Sequence, residues 1–410
     1  MIDFNESQWW PYEKLVEFQN KRLAEILDYA YNNIPAYRRK FDEAKVKPAD
    51  IENKDYLYKL PVTTREEMQN NPDFVNTELI NDTLYTGGST GSSLKYYDSE
   101  ESRYIRAQAH ARGWLWNGYT PGKRLAVISS AQGTVGGKNT LNLVGDLTTE
   151  KLKEIVKKLI EFEPQHLRGY VSSLFILAKY CLDNSVEISG IESIDPISEN
   201  LYDYQREVIE KAFHCRVFEE YCCNDGGACA WECEAHEGLH YFVERAIIED
   251  IDGEMIVTDL WNKAIPFIRY RNGDAVSFLD RKCSCGRQLP LITVKGRTND
   301  ILISKEGPIS PTYVLHSWYD GSQYDNTNDF RVGFRAIQYI QQKNYLLIVN
   351  VVKNPGCTAE MIENFEKQLR KTFTSMTYQI NFVNDIPTTL RGKRSFIINE
   401  DKELLKIWGF

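Results

Sequence analysis

Apolar residues recur at helical spacing through Leu15, Phe18, Leu23, Ile26, Leu27 and Tyr31, which predicts helix over the first ~40 residues. Asn32-Asn33-Ile34-Pro35 interrupts it. Residues 79–92 carry Gly87, Gly88 and Gly91 and read as a loop, followed by a helical run from Ser99 to Trp116. Leu125-Ala126-Val127-Ile128 reads as a short buried strand, and Gly133 to Gly137 as a second loop. Residues 149–161 and 203–213 have the helical period again, and a strand is expected at Val217-Phe218. This alternation predicts an α/β architecture with parallel strands. After residue ~240 the pattern changes to paired strands, Gly253–Thr258 and Phe267–Tyr270, antiparallel or barrel-like. The last stretch has strands at Phe334–Ile337, Tyr345–Val349 and Tyr378–Ile380 around a helix at Thr358–Phe373, a small α+β domain. The expected division is residues 1–299 and 300–410.

Composition narrows the class. The 410 residues are 42% hydrophobic and 26% charged, as in a soluble globular chain rather than a disordered or fibrous one. The net charge of −9 argues against a nucleic-acid binder, which needs a basic face. Neither a signal peptide nor a ~20-residue apolar span is visible, so a cytoplasmic location is expected. Homodimerisation is the default expectation for such a protein. Seven of the nine cysteines cluster, at Cys215 to Cys233 and then at Cys283 and Cys285; in a reducing compartment this favours metal binding or packing over disulfides.

Five segments carry chemistry. Tyr85-Thr86-Gly87-Gly88-Ser89-Thr90-Gly91-Ser92-Ser93-Leu94-Lys95 has glycines that turn backbone N–H groups toward an anion, with hydroxyl donors and a lysine charge. It lacks the Gly-Lys-Ser/Thr triplet of a Walker loop. The others are Glu220–Gly227, Pro266-Phe267-Ile268-Arg269-Tyr270-Arg271-Asn272-Gly273-Asp274, the pair Cys283-Ser284-Cys285-Gly286-Arg287 and Lys295–Asp300, and Leu390-Arg391-Gly392-Lys393-Arg394.

In this order the segments resemble the adenylate-forming enzyme superfamily, and within it the branch of phenylacetate–CoA ligases and CapK-type proteins of surface-polysaccharide clusters. The CapK flavour rests on Phe162-Glu163-Pro164 and Leu167-Arg168-Gly169-Tyr170. The resemblance implies a large N-terminal AMP-binding domain, with α/β subdomains and a small β-barrel-like part, and a small mobile C-terminal domain. It implies an ATP- and Mg²⁺-dependent ligase that converts a small carboxylic acid to an acyl-adenylate. The acyl group then passes to an amine or hydroxyl acceptor, as in capsule or O-antigen assembly, or alternatively to coenzyme A.

Residue by residue, Thr86, Gly87, Gly88, Ser89, Thr90 and Gly91, with Lys95, match the phosphate loop. Ser198 and Glu199 fall at the adenine-contacting segment, Asp274 at the ribose aspartate, Arg297 beside ribose and phosphate, Asp300 at the hinge and Lys393 at the adenylation lysine. The chain departs from the usual Tyr-Gly-x-x-Glu at Tyr221-Cys222-Cys223-Asn224-Asp225, so the Mg²⁺ carboxylate is Asp225, one methylene shorter. The branch also implies a structural Zn²⁺, with Cys233, Cys283 and Cys285 as ligands and His240, or alternatively His236, as the fourth. Cys222, Cys223 and Cys229 are read as buried thiols, a catalytic role lacking a placed base. Trp114, Trp116, Tyr170 and Phe175 are candidates for an acyl-pocket wall. Two competing readings are a zinc-stabilised binding protein on a decayed ligase fold and a nucleic-acid-binding zinc module.

Overall fold

A computed structural model describes residues 2–69, 71–85, 94–129, 137–144, 149–199, 201, 203–295, 302–309, 314, 333–353, 355–386 and 397–407. The chain forms two compact units. One comprises Met1–Thr86, Leu94–Pro121 and Phe218–Arg297; the other comprises Gly87–Ser93, Gly122–Val217 and Thr298–Phe410.

In the first unit a short helix, Phe4–Ser7, precedes helices Tyr12–Asn33 and Pro35–Glu43, which are separated at the expected Asn32–Pro35 break. Ile34 takes extended backbone angles and Pro35 starts the helix that follows, where its missing N–H costs nothing. Their apolar faces, including Leu15, Leu23, Leu27 and Phe41, are buried against a seven-stranded antiparallel sheet. Its order is Ala246–Ile251, Glu254–Asp259, Tyr270–Leu279, Leu291–Lys295, Leu239–Tyr241, Cys229–Glu232 and Glu220–Cys222. The strand expected at Phe267–Tyr270 begins only at Tyr270. The reason is local: Arg269 adopts φ +48°, and its guanidinium is held by Glu249 and the Leu60 carbonyl. Part of the expected loop at 79–92 is also strand, Asp82–Tyr85 pairing antiparallel with Lys95–Asp98.

Helix Glu100–Trp116 packs on the sheet and positions much of the site. Ser99 caps it by accepting from the Ser102 N–H. Gly113 is required by the packing: a Cβ there would lie 2.5 Å from the Trp231 ring, which is fully buried. The helix also carries Arg112, whose guanidinium is wholly buried in an ion pair with Glu244 at 2.7 Å and lies 3.6 Å from the Phe242 ring centroid.

In the second unit, five parallel strands run in the order Thr140–Val144, Leu125–Ser129, His166–Tyr170, Ser193–Ile197 and Arg216–Val217. Helices Thr149–Phe162, Val171–Asp183 and Asp203–Phe213 bury Leu159, Leu174 and Ile209 in its core. The parallel α/β expectation therefore holds, with the last strand ending at Val217 rather than Phe218. The C-terminal part is α+β. Strands Thr377–Phe382, Leu346–Lys353, Phe334–Gln342 and Ile397–Asn399 form one sheet, and helix Ala359–Thr372 buries Phe365 and Leu369 against it. Among the described residues, no helix is long and apolar enough to cross a membrane.

Candidate active site and metal centre

The hairpin Glu220–Cys222 and Cys229–Glu232 and the long strand Tyr270–Leu279 hold the first group of predicted residues. The tight turn at Gly227, φ +74°, leaves no room for a side chain, since a Cβ would sit 2.6 Å from Arg245 Nη1. This turn fixes the buried Asp225. Its Oδ2 accepts from the Tyr270 hydroxyl at 3.1 Å and from Arg65 at 3.3 Å, and its Oδ1 lies 3.2 Å from the Cys223 thiol. Arg65 had no role in the sequence reading. It reaches Asp225 from the short helix Arg65–Met68, and nothing in the local sequence announces that contact.

Asp274 and Asn272, two apart on one strand, share a face. Asp274 Oδ2 accepts from the Tyr221 hydroxyl at 2.8 Å and from the Asn272 amide at 3.3 Å. Burial first, and then the Asp274 carboxylate, push the Tyr221 phenol well above its ordinary range. It therefore stays protonated and donates to Asp274. Burial also pushes the Cys223 thiol up, and the charges of Asp225 and Asp274 both add to that rise, so the two acids share one neighbourhood.

Beside them lies a small, partly open pocket, lined from the helix by Arg106, Ala109 and His110 and from the hairpin by Cys222 to Asn224 and Gly227 to Cys229, with Arg245. Arg106 pairs with Asp98 at 3.0 Å, and Arg245 with Asp259 at 2.6 Å. None of the four aromatic residues expected to wall a pocket is in this lining. Trp116 packs on His240 and Phe242, and Tyr170 and Phe175 are buried in the second unit. Trp114 contacts the His110 ring edge-on at 6.1 Å between centroids. The helical spacing of Arg106, His110 and Trp114 was the available signal for this face.

Lys95 is exposed at the start of its strand, 5.5 Å from the Tyr97 ring centroid. In the second unit, Ser198 and Glu199 follow the C-terminal end of strand Ser193–Ile197, Ser198 with φ +66°. Thr86, Gly87, Gly88, Ser89, Thr90, Gly91, Arg297, Asp300 and Lys393 lie outside the described residues.

The structure brings Cys233, His240, Cys283 and Cys285 together, their ligand atoms all within 4.8 Å of one another. Cys233 and Cys283 sulfurs are 3.6 Å apart, and Cys285 Sγ is 3.3 Å from His240 Nε2. A tetrahedral zinc with bonds of ~2.3 Å to sulfur and ~2.0 Å to nitrogen requires edges of about 3.8 and 3.5 Å, so this donor set fits. His240 Nδ1 is 3.1 Å from the Leu289 carbonyl, which fixes the ring and leaves Nε2 toward the sulfurs. Burial lowers the His240 pKa to about 4, keeping the imidazole neutral. His236 does not join. Its Nδ1 is 3.4 Å from Glu232 and its ring packs on Phe218.

Residues 327–400 match the CapK C-terminal domain family. Over 95% of its length the chain is 29% identical to Protein CapK of Staphylococcus aureus, covering 90% of that protein. It is 25% identical to a phenylacetate–coenzyme A ligase of Thermus thermophilus over 75% of the chain and 76% of the relative. Among solved structures, 2-hydroxyisobutyryl-CoA ligase with 2-HIB-AMP and CoA superposes with a TM-score of 0.65 at 18% identity, covering 99% of this chain and 96% of that one. Fold and sequence are thus both similar to those of adenylate-forming, AMP-producing ligases. Within that class the similarity is to CapK and to the phenylacetate–coenzyme A ligases.

Proposed function

We propose that the chain activates a small carboxylic acid with ATP and passes the acyl group to an amine or hydroxyl acceptor in surface-polysaccharide assembly. The observation that carries this reading is the similarity to CapK along nearly the whole chain, including a CapK-type C-terminal domain. Attack of a carboxylate on the ATP α-phosphate brings anions together, so charge must be neutralised in advance. In this reading Thr86 to Gly91, with Lys95, cradle the phosphates and Lys393 meets the reacting carboxylate and α-phosphate. Asp274, oriented by Tyr221 and Asn272, accepts from the ribose hydroxyls. Ser198 and Glu199 flank adenine, Arg297 serves ribose and phosphate, and rotation about Asp300 carries residues 300–410 between half-reactions. Mg²⁺ comes with the ATP. Asp225 is its proposed carboxylate, though Arg65 and Tyr270 already hold Oδ2, so an ion has Oδ1 to use or must displace Arg65. The place of work is the cytoplasm, where ATP is available.

Cys233, His240, Cys283 and Cys285 are proposed to hold a structural zinc, which ties the hairpin to the loop after the long strand. Four protein ligands leave no open position for chemistry.

A second reading, transfer to coenzyme A, is favoured by the phenylacetate–coenzyme A ligase relatives. Turnover is measured with an activating acid, with and without coenzyme A, and products are identified by mass. Amide or ester formed without coenzyme A supports the first reading; an acyl-CoA thioester as the product replaces it with the second.

A further inference from the structure

The Cys222 and His110 side chains meet in the pocket. Cys222 ends its strand and is half-buried, and its Sγ lies 3.6 Å from His110 Nε2. Both line the same pocket. The His110 ring is fixed between two indoles, with Trp231 at 5.2 Å and Trp114 at 6.1 Å between centroids. The two neighbouring thiols differ. Cys223 and Cys229 are buried, and burial pushes both up, Cys229 to about 12. Of the three pocket thiols, Cys222 is the most exposed and the one with an imidazole against its sulfur. A thiol and a base within hydrogen-bond reach, the base held by its surroundings, is the arrangement that activates a nucleophile.

We propose that Cys222, with His110 as its base, takes the acyl group from the adenylate and holds it as a thioester on the protein. This rests on the adenylation reading above. Cys222 gives its proton to His110 Nε2, and the sulfur attacks the acyl carbon. A C–S bond forms, the C–O bond to the adenylate phosphate breaks, AMP leaves with the electron pair, and His110 releases the thiol's proton to solvent. The acceptor amine or hydroxyl then attacks the thioester. The C–S bond breaks, and the acceptor's proton returns through His110 to the thiolate. No oxidant or reductant enters. The chain would thus supply from its own pocket the thiol that a coenzyme A ligase takes from its substrate.

Two measurements test this. First, iodoacetamide alkylation of the intact protein at pH 7 is followed cysteine by cysteine by peptide mass spectrometry. Cys222 should react at least about tenfold faster than N-acetylcysteine, with a pH profile turning at least about one unit below the ordinary thiol value. His110→Gln should abolish the advantage. Because the pH profile is read on unmodified protein, the test survives a variant that misfolds. Alkylation of Cys222 at the free-thiol rate overturns the pair. Second, radiolabelled acids from a panel that supports pyrophosphate release are incubated with ATP and Mg²⁺, and the denatured protein is counted. Hydroxylamine-labile label on the Cys222 peptide, lost in Cys222→Ala while free acyl-adenylate accumulates, is the expected result. Pyrophosphate release without covalent label overturns the thioester. Absence of release with every acid overturns the adenylation reading itself, and the alkylation data still decide whether the pair exists.

Discussion

Cys283→Ser is the sharpest probe of the cysteine–histidine cluster. The four donors come from two segments, 233–240 and 283–285, so an ion among them joins parts of the chain some 45 residues apart. The sulfur–sulfur spacing of 3.6 Å and sulfur–nitrogen spacing of 3.3 Å fall within a few tenths of an ångström of a zinc tetrahedron's edges. Burial pushes the Cys233 and Cys283 thiols up, so without a cation the thiolates are disfavoured. If free zinc stands a thousandfold above its dissociation constant, binding adds about 4 kcal/mol to stability. In a unit of this size that is roughly 10 °C in Tm. Elemental analysis of the purified protein should find one zinc per chain. Cys283→Ser should lose it and melt lower by about that amount, as should the wild type treated with chelator. His236→Ala should keep its zinc, because His236 contacts Glu232 and Phe218 rather than the cluster. Metal-free wild type that melts identically with and without chelator, or full zinc in Cys283→Ser, would refute the assignment.

Other expectations concern the frame of the site. Arg112→Met strands the fully buried Glu244 carboxylate without its cation, and chemical denaturation should show a loss of about 3–5 kcal/mol. Gly113→Ala drives a methyl into the Trp231 ring; the expected cost is about 1–3 kcal/mol by denaturation, with a change in tryptophan emission. In the second unit, burial, with Lys123 adding to it and Glu192 opposing it, lowers the His166 pKa to about 4. The folded state thus resists a proton that the unfolded chain accepts near 6.5. The neutral form's stability is intact above pH ~6.5 and is lost progressively as pH falls toward 4, by about 2–3 kcal/mol. Denaturation curves between pH 4 and 7 should show that slope, and His166→Gln should flatten it.

Much of this was legible in the chain. Helical period located Glu100–Trp116 and Ala359–Thr372 to within a residue or so, because their apolar faces are buried along their whole length. The spacing of Cys283 and Cys285, with a distant Cys/His pair, pointed to the cluster because tetrahedral ligation needs few residues at short reach. Choosing between His236 and His240 was beyond the pattern. It depends on strand pairing, His240 lying opposite Leu291 and Trp231 in the sheet while His236 sits in the turn before it. The contacts of Arg65 with Asp225 and of His110 with Cys222 were equally hidden. They join residues 160 and 112 positions apart, and only the tertiary fold sets such distances. The expected strand at Phe267–Arg269 failed for a related reason, since side-chain anchoring of Arg269 overrode an apolar, β-prone run.

The central claim is acid-dependent adenylation, and the direct measurement is pyrophosphate release from ATP and Mg²⁺. The panel should span aryl acids, short acyl acids, amino acids and sugar acids, with Lys393→Ala alongside. Release is expected with one class of acid, with a fall of ~10²–10³ in rate in the variant. Release at the wild-type rate from Lys393→Ala would contradict the role given to that lysine. A protein that neither binds ATP nor releases pyrophosphate with any acid would contradict the ligase reading as a whole.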